Sequence, residues 1–183
     1  MKIMRAICFA LTLLIGVVPA QVVDASVTNG VNYSWVAQPH VHIITQHDRV
    51  ELKCLADNAY FEARNQSIIG MMAVDDVVMN RMRGDPSRFG KTPCDVIYRR
   101  DKDGCQFSWV CQRHVVRDTQ IYAAAEVVAR VVFFTSNIVD YSAGATYYHS
   151  VDVHPYWSKH FRMTAAIGDH IFYKDPKDES YSS

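Results

Sequence analysis

At 183 residues the chain has room for one domain and a small appendage, and a multidomain enzyme is excluded. Apolar residues make up 49% and aromatic residues 11%, with ordinary Gly and Pro, which excludes a disordered chain, a collagen-like fibre and a low-complexity repeat. Basic and acidic side chains number 19 each, so the phosphate-neutralising excess of a nucleic-acid binder is missing and no nucleic-acid partner is expected.

Lys2 and Arg5 precede an almost wholly apolar run, Ala6 to Val18, which ends in Val18-Pro19-Ala20. This is the charged, apolar and small-residue order of a secretory signal peptide, with cleavage expected after Ala20 or after Ala25. A run of about 13 apolar residues is short for a bilayer span, which needs roughly 20, so an uncleaved anchor is the lesser reading. The 163 residues left after Ala20 hold 17 basic and 19 acidic side chains, a weakly acidic body with a net charge of −2. Such a protein is expected to be secreted or periplasmic, with no stable membrane insertion once the signal is removed.

Cys8 leaves with that signal, and Cys54, Cys94, Cys105 and Cys111 remain. An even number outside the cytosol predicts two disulfides in one of three connectivities, of which a local Cys105–Cys111 staple with Cys54–Cys94 between two helical segments is the preferred one. A zinc site is the rival, without the paired Cys-x-x-Cys spacing.

Residues 21–47 show no sustained period and read as a poorly ordered leader arm, and the folded body is expected over 48–175. Asp48 to Asn65 carries Leu52, Leu55, Ala59 and Glu62 at helical spacing, with Asp48 as the N-cap. A second helix is predicted from Ser67 to Met82, stopped by Gly84-Asp85-Pro86, and Thr92-Pro93 opens a short one through Tyr98. Asp101 to Gly104 is turn-rich. The longest helix is expected over Arg117 to Phe134, where Ala123, Ala124, Ala125 and Ala129 permit close packing. Short β-favouring segments follow at 146–148, 163–166 and 170–173, and residues 176–183 read as a polar tail. Helices first and a few strands after predict an α+β fold, mainly helical with a small C-terminal antiparallel element.

Glu62 breaks the pattern of its helix. At 100° per residue it lies within about 20° of Leu55, where the stripe calls for an apolar side chain. A carboxyl there is expected at the edge of the core facing a cleft, where partial desolvation favours its protonated form. A protonated acid near neutral pH can donate to a glycosidic oxygen, the pattern of lysozyme's raised glutamate. The plainer reading is a surface Glu paired with Arg64 or Arg81.

Several segments weigh against that plainer reading. These are Tyr60-Phe61-Glu62-Ala63-Arg64-Asn65, Ala73-Val74, Met79-Asn80-Arg81, Arg88-Phe89, Cys94-Asp95-Val96-Ile97-Tyr98, Gln106-Phe107-Ser108-Trp109, Thr146-Tyr147-Tyr148-His149, Val153 to Trp157 and Thr164 to Tyr173. In that order they resemble the cell wall hydrolase family of the spore cortex-lytic enzyme SleB over roughly residues 52–173. The resemblance implies a lysozyme- or transglycosylase-like α+β fold acting on peptidoglycan, with the family's catalytic acid at Glu62. It also brings the Phe-Ser-Trp and Tyr-Tyr-His segments near that acid. Asn65 stands where the family usually has Gly, and Asn is the residue best able to take its left-handed helix-ending conformation. Asp75-Asp76 stands where neutral residues are more usual, and a core-facing one needs a partner.

Hydrolysis ordinarily needs two carboxylates, and Asp57, Asp75, Asp76 and Asp152 are candidates for the second. Lytic transglycosylation needs one, acting as acid and then as base, and is the expected reaction, between N-acetylmuramic acid and N-acetylglucosamine. Gln106, Ser108, Trp109, Tyr147, Tyr148 and His149 are the expected substrate-binding residues. One of Tyr147 and Tyr148 should be buried and one exposed, because they alternate along a strand. Trp157 and Phe172 read as core, and His170 as a satisfied, half-buried structural side chain. No metal or cofactor is expected, because no His-Glu-x-x-His is present. The expected partner is the peptidoglycan glycan strand, met by a monomer. Alternatives are a hydrolytic muramidase, a non-catalytic wall-binding or virion structural module, and a zinc amidase using the late histidines.

Overall fold

The structure, a computed structural model, describes residues 43–102, 104–112 and 114–179. The expected signal peptide and most of the leader arm, 1–42, lie outside the described residues, as do the last four.

Helix α1 spans Gln46–Ala63. Its N-cap is Thr45, not Asp48: the Thr45 hydroxyl accepts from the Asp48 N–H while the Asp48 carboxylate accepts from the Thr45 N–H. In this reciprocal box the acid belongs three residues inside the helix, which is why Asp48 passes for a cap in the sequence. Ser67 caps α2, Ile68–Gly84, as predicted. Asp85 then caps a further short helix, α3 (Pro86–Phe89), which the sequence reading leaves as a helix stop. Thr92 caps α4, Pro93–Ile97. Helix α5, Thr119–Thr135, has 17 residues to the 18 of α1, so α1 is the longer. Its buried residues Ala125, Val128, Ala129 and Val132 recur at 3, 4 and 7, one stripe that packs on α1 and α2. The small residues let α5 pack close against α1, in which Leu55, Ala56 and Ala59 are all buried.

Strands β1 (Arg100–Asp101) and β2 (Gly104–Cys105) pair antiparallel, Arg100 opposite Cys105. The C-terminal sheet is β3 (Tyr147–Ser150), β4 (Arg162–Ile167) and β5 (His170–Lys174) in antiparallel order β3-β5-β4. Tyr148 pairs with Phe172, which is completely buried and carries the sheet into the helical core. The β4–β5 turn is pinned to the segment after α1. Gln66 accepts from the Asp169 N–H at 3.0 Å and donates to its carboxylate at 2.9 Å. Gly168 in that turn has φ +55°, and a Cβ there would lie 2.1 Å from the Gln66 oxygen, so a side chain would strain the left-handed backbone and displace the Gln66 amide.

Residues 176–179, the described part of the expected polar tail, are anchored to the body. They form a 3₁₀ turn, and buried Asp178 accepts from Arg88 and from the Thr146 hydroxyl while Asp175 accepts from Arg88 at 3.2 Å. Both disulfides form as expected, Cys54–Cys94 joining α1 to α4 and Cys105–Cys111 closing a six-residue separation.

Candidate active site

Glu62 is the last residue but one of α1, and its stripe-mates Leu55 and Ala59 are fully buried. The carboxyl itself is half-buried and lines a cavity of about 140 Å³ with Arg81, Gln106, Phe107, Ser108 and Tyr148. Larger clefts exist, one of about 620 Å³ along Tyr60, Arg64, His114 and Arg117, but no carboxyl on a core stripe faces it.

Neither Arg64 nor Arg81 holds Glu62 in an ion pair. Its hydrogen-bond partner is Tyr148, whose hydroxyl donates to Oε2 at 2.9 Å. Burial raises the Glu62 pKa, while the Tyr148 bond and the charge of Arg81 pull it partway back, and the net shift is upward. Its place in the last turn of α1 acts in the same direction, since the negative end of a helix dipole disfavours a carboxylate. Burial and the nearby acid push the Tyr148 phenol well above its usual range, so it stays a donor.

Three of the six expected substrate-binding residues share the cavity with Glu62: Gln106, Ser108 and Tyr148. The Cys105–Cys111 disulfide and the 3₁₀ turn Ser108–Cys111 shape the edge that carries Gln106 and Ser108. The other three lie elsewhere. Trp109 is buried and stacked on Phe61 at 4.9 Å, where both line a separate cleft. Tyr147 and His149 occupy the opposite face of β3, as the period of two requires. There Tyr147 accepts from Arg88 at 2.6 Å and His149 lies stacked on Tyr173 at 5.2 Å. Tyr147 and Tyr148 are both half-buried, so the expected split into one buried and one exposed ring is replaced by two faces that are both covered. On the Tyr147 face Trp157 packs against Phe161 and Tyr173.

Arg81 and Phe107 line the cavity as well, although neither is among the expected substrate-binding residues. Arg81 continues the buried row Val74, Val77 and Val78 of α2, so the rule that exposes Glu62, a charge on an apolar stripe, would also have found it. Its Nε donates to the Thr146 carbonyl at 2.7 Å, and its guanidinium lies over Phe89, Phe107 and Tyr147 at 5.3–5.5 Å. Asn65 has no left-handed backbone; α1 closes instead through a turn in which the Gln66 N–H donates to the Ala63 carbonyl. His170 is buried but not satisfied, since its Nδ1 has no partner, and burial lowers its pKa.

Of the four further carboxylates, none lines the Glu62 cavity among the described residues. Asp57 accepts from Tyr122 and Lys53, beside the cleft along Phe61 and Trp109. Asp76 is buried, accepts from the Tyr141 N–H and is raised by burial to about 7, and Asp152 is exposed. Asp75 is completely buried and accepts from Asn58 at 2.9 Å.

A mainly helical domain that carries a small antiparallel sheet and sinks one raised acid at a helix end is a lysozyme-like α+β enzyme. The chain belongs to the cell wall hydrolase family, which matches residues 65–173 and so begins three residues beyond Glu62. The catalytic domain of the germination-specific lytic transglycosylase SleB from Bacillus anthracis is similar at TM-score 0.54 and 25% identity, covering 75% of this chain and 100% of that one. The catalytic domain of the Bacillus cereus SleB protein gives TM-score 0.50 at 23% identity, covering 69% and 91%, and speaks for the fold alone. No curated protein matches.

Proposed function

We propose that the protein is an exported enzyme that cleaves peptidoglycan strands between N-acetylmuramic acid and N-acetylglucosamine by lytic transglycosylation, with Glu62 as acid and then base. The observation that carries this reading is a single raised carboxyl in a polar cavity that no second carboxylate lines among the described residues. Direct hydrolysis would ask for a partner about 5–9.5 Å away. Similarity to a lytic transglycosylase catalytic domain supports the same reaction class.

Tyr148 occupies Oε2 of Glu62, which leaves Oε1 to carry the proton. That proton passes to the glycosidic oxygen as the C1–O bond breaks. The carboxylate then takes the proton of the muramic acid C6 hydroxyl while that oxygen bonds to C1, closing a 1,6-anhydro ring. Glu62 ends protonated, and no water is consumed. Gln106 and Ser108 supply hydrogen bonds to sugar hydroxyl or acetamido groups at the cavity edge.

General acid–base catalysis contributes about 10²–10⁴-fold, so Glu62→Gln should lower wall clearing by at least about 100-fold with its melting temperature within a few degrees. A folded Glu62→Gln protein that still clears walls at the normal rate would overturn the assignment.

A further inference from the structure

Asn58 lies one helical turn before Glu62 on the same face of α1, a spacing that brings side chains to about 5–6 Å at Cβ. Beneath it Asp75 of α2 is completely buried, as is Asn58 itself. One hydrogen bond joins them, Asn58 Nδ2 to Asp75 Oδ1 at 2.9 Å. The two remaining polar atoms of the pair, Asn58 Oδ1 and Asp75 Oδ2, are both buried and both without a partner. Drawn as amide and carboxylate, both are acceptors, and leaving two such atoms unpaired in a core is costly. One proton on Asp75 Oδ2 supplies the missing donor and satisfies both at once.

We propose that Asp75 is a neutral carboxylic acid whose Oδ2–H donates to Oδ1 of Asn58, and that this closed acid–amide pair is an uncharged unit in the core, one helical turn before Glu62. Among the described residues no cation is bonded to Asp75. Asp76 follows it on α2, Tyr148 faces it from β3, and α5 presents Ala125, Val128, Ala129 and Val132 to the core. Burial is the largest influence on Asp75 and raises its pKa well above 3.8, Asp76 adds to the rise, and the Asn58 bond opposes it. A neutral Asp75 is useless as the ionised partner of a hydrolytic mechanism. The protonation claim stands without the one-carboxylate reading above, while its mechanistic consequence rests on that reading.

The test is Asp75→Asn, which keeps shape and rebuilds the ring with Nδ2 as donor to Asn58 Oδ1, against Asp75→Leu, which keeps only bulk. A folded-state pKa above the unfolded one means that Asp75 stabilises most below about pH 3.8, a benefit lost as pH rises toward the folded value. Asp75→Asn should therefore melt at or above the parent at pH 7, with a gap that widens as pH rises from 4, and Asp75→Leu several degrees below it. The parent-minus-Asn infrared difference at pH 7 should contain the carbonyl stretch of a protonated acid. Wall clearing by Asp75→Asn should stay within about two-fold with an unchanged pH profile. An Asp75→Asn protein melting well below the parent at pH 7, or a difference spectrum showing only carboxylate, overturns the neutral pair. A well-folded Asp75→Asn protein with activity lost about 100-fold shows Asp75 acting as a charged group, and overturns it too. Glu62→Gln tests the reaction separately, since it leaves the Asp75 signal in place.

Discussion

Glu62 is tuned by opposing neighbours, and each has a measurable consequence. Desolvation keeps the acid protonated to higher pH, while Tyr148 stabilises the carboxylate. Tyr148→Phe removes that donor, so the Glu62 pKa should rise further. The alkaline limb of the pH–rate profile, where a general acid loses its proton, should move to higher pH. The rate plateau should fall several-fold because the carboxyl loses its orienting bond, and a limb that moves down would contradict this geometry. The same upward shift makes Glu62 a cost to stability above about pH 4.5, the cost growing toward the folded value. Glu62→Gln should accordingly melt no lower than the parent at neutral pH, by calorimetry. Glu62 was legible because a charge on an apolar helical stripe is visible in one chain. Its bond to Tyr148 was not, since 86 residues separate them and the strand register decides which tyrosine faces the acid.

Individual elements differ in how far local chemistry determines them. Ser67 and Thr92 begin their helices because a hydroxyl and the next turn suffice. The anchoring of residues 175–179 was not legible, because Asp175 and Asp178 meet Arg88 at separations of 87 and 90 residues, which no local pattern reports. Arg88→Ala should cost about 2 kcal/mol, discounted for the partial exposure of Arg88 but raised by the two buried acids it leaves behind, as measured by denaturant unfolding. The two disulfides separate stability from activity. Cys54–Cys94 spans 40 residues, and loop-closure entropy predicts a loss of about 3–4 kcal/mol in Cys54→Ser/Cys94→Ser. The ring at Cys105–Cys111 is much shorter, so its removal should cost less stability but more activity, because it shapes the edge that presents Gln106 and Ser108. Parallel unfolding and wall-clearing assays on the two double variants check this ordering.

At the scale of the molecule, three helices contribute Leu55, Val74, Val77, Val78 and Val128 to the apolar core, and a small sheet closes over it through Phe172. The fold class was readable in advance because helical and strand periods segregate along the chain. The cavity was not, because it forms where the end of α1, the disulfide-closed turn and β3 converge from distant positions. That convergence provides one raised acid and no second carboxylate among the described residues, which together define the proposed reaction. Mass spectrometry of the soluble fragments released from purified peptidoglycan tests this most directly. The account predicts muramic acid ends one water lighter than reducing ends, as 1,6-anhydro rings, in wild type and in Asp75→Asn alike. Fully hydrated reducing ends at muramic acid would mean that water attacks C1, and would contradict a mechanism built on Glu62 alone.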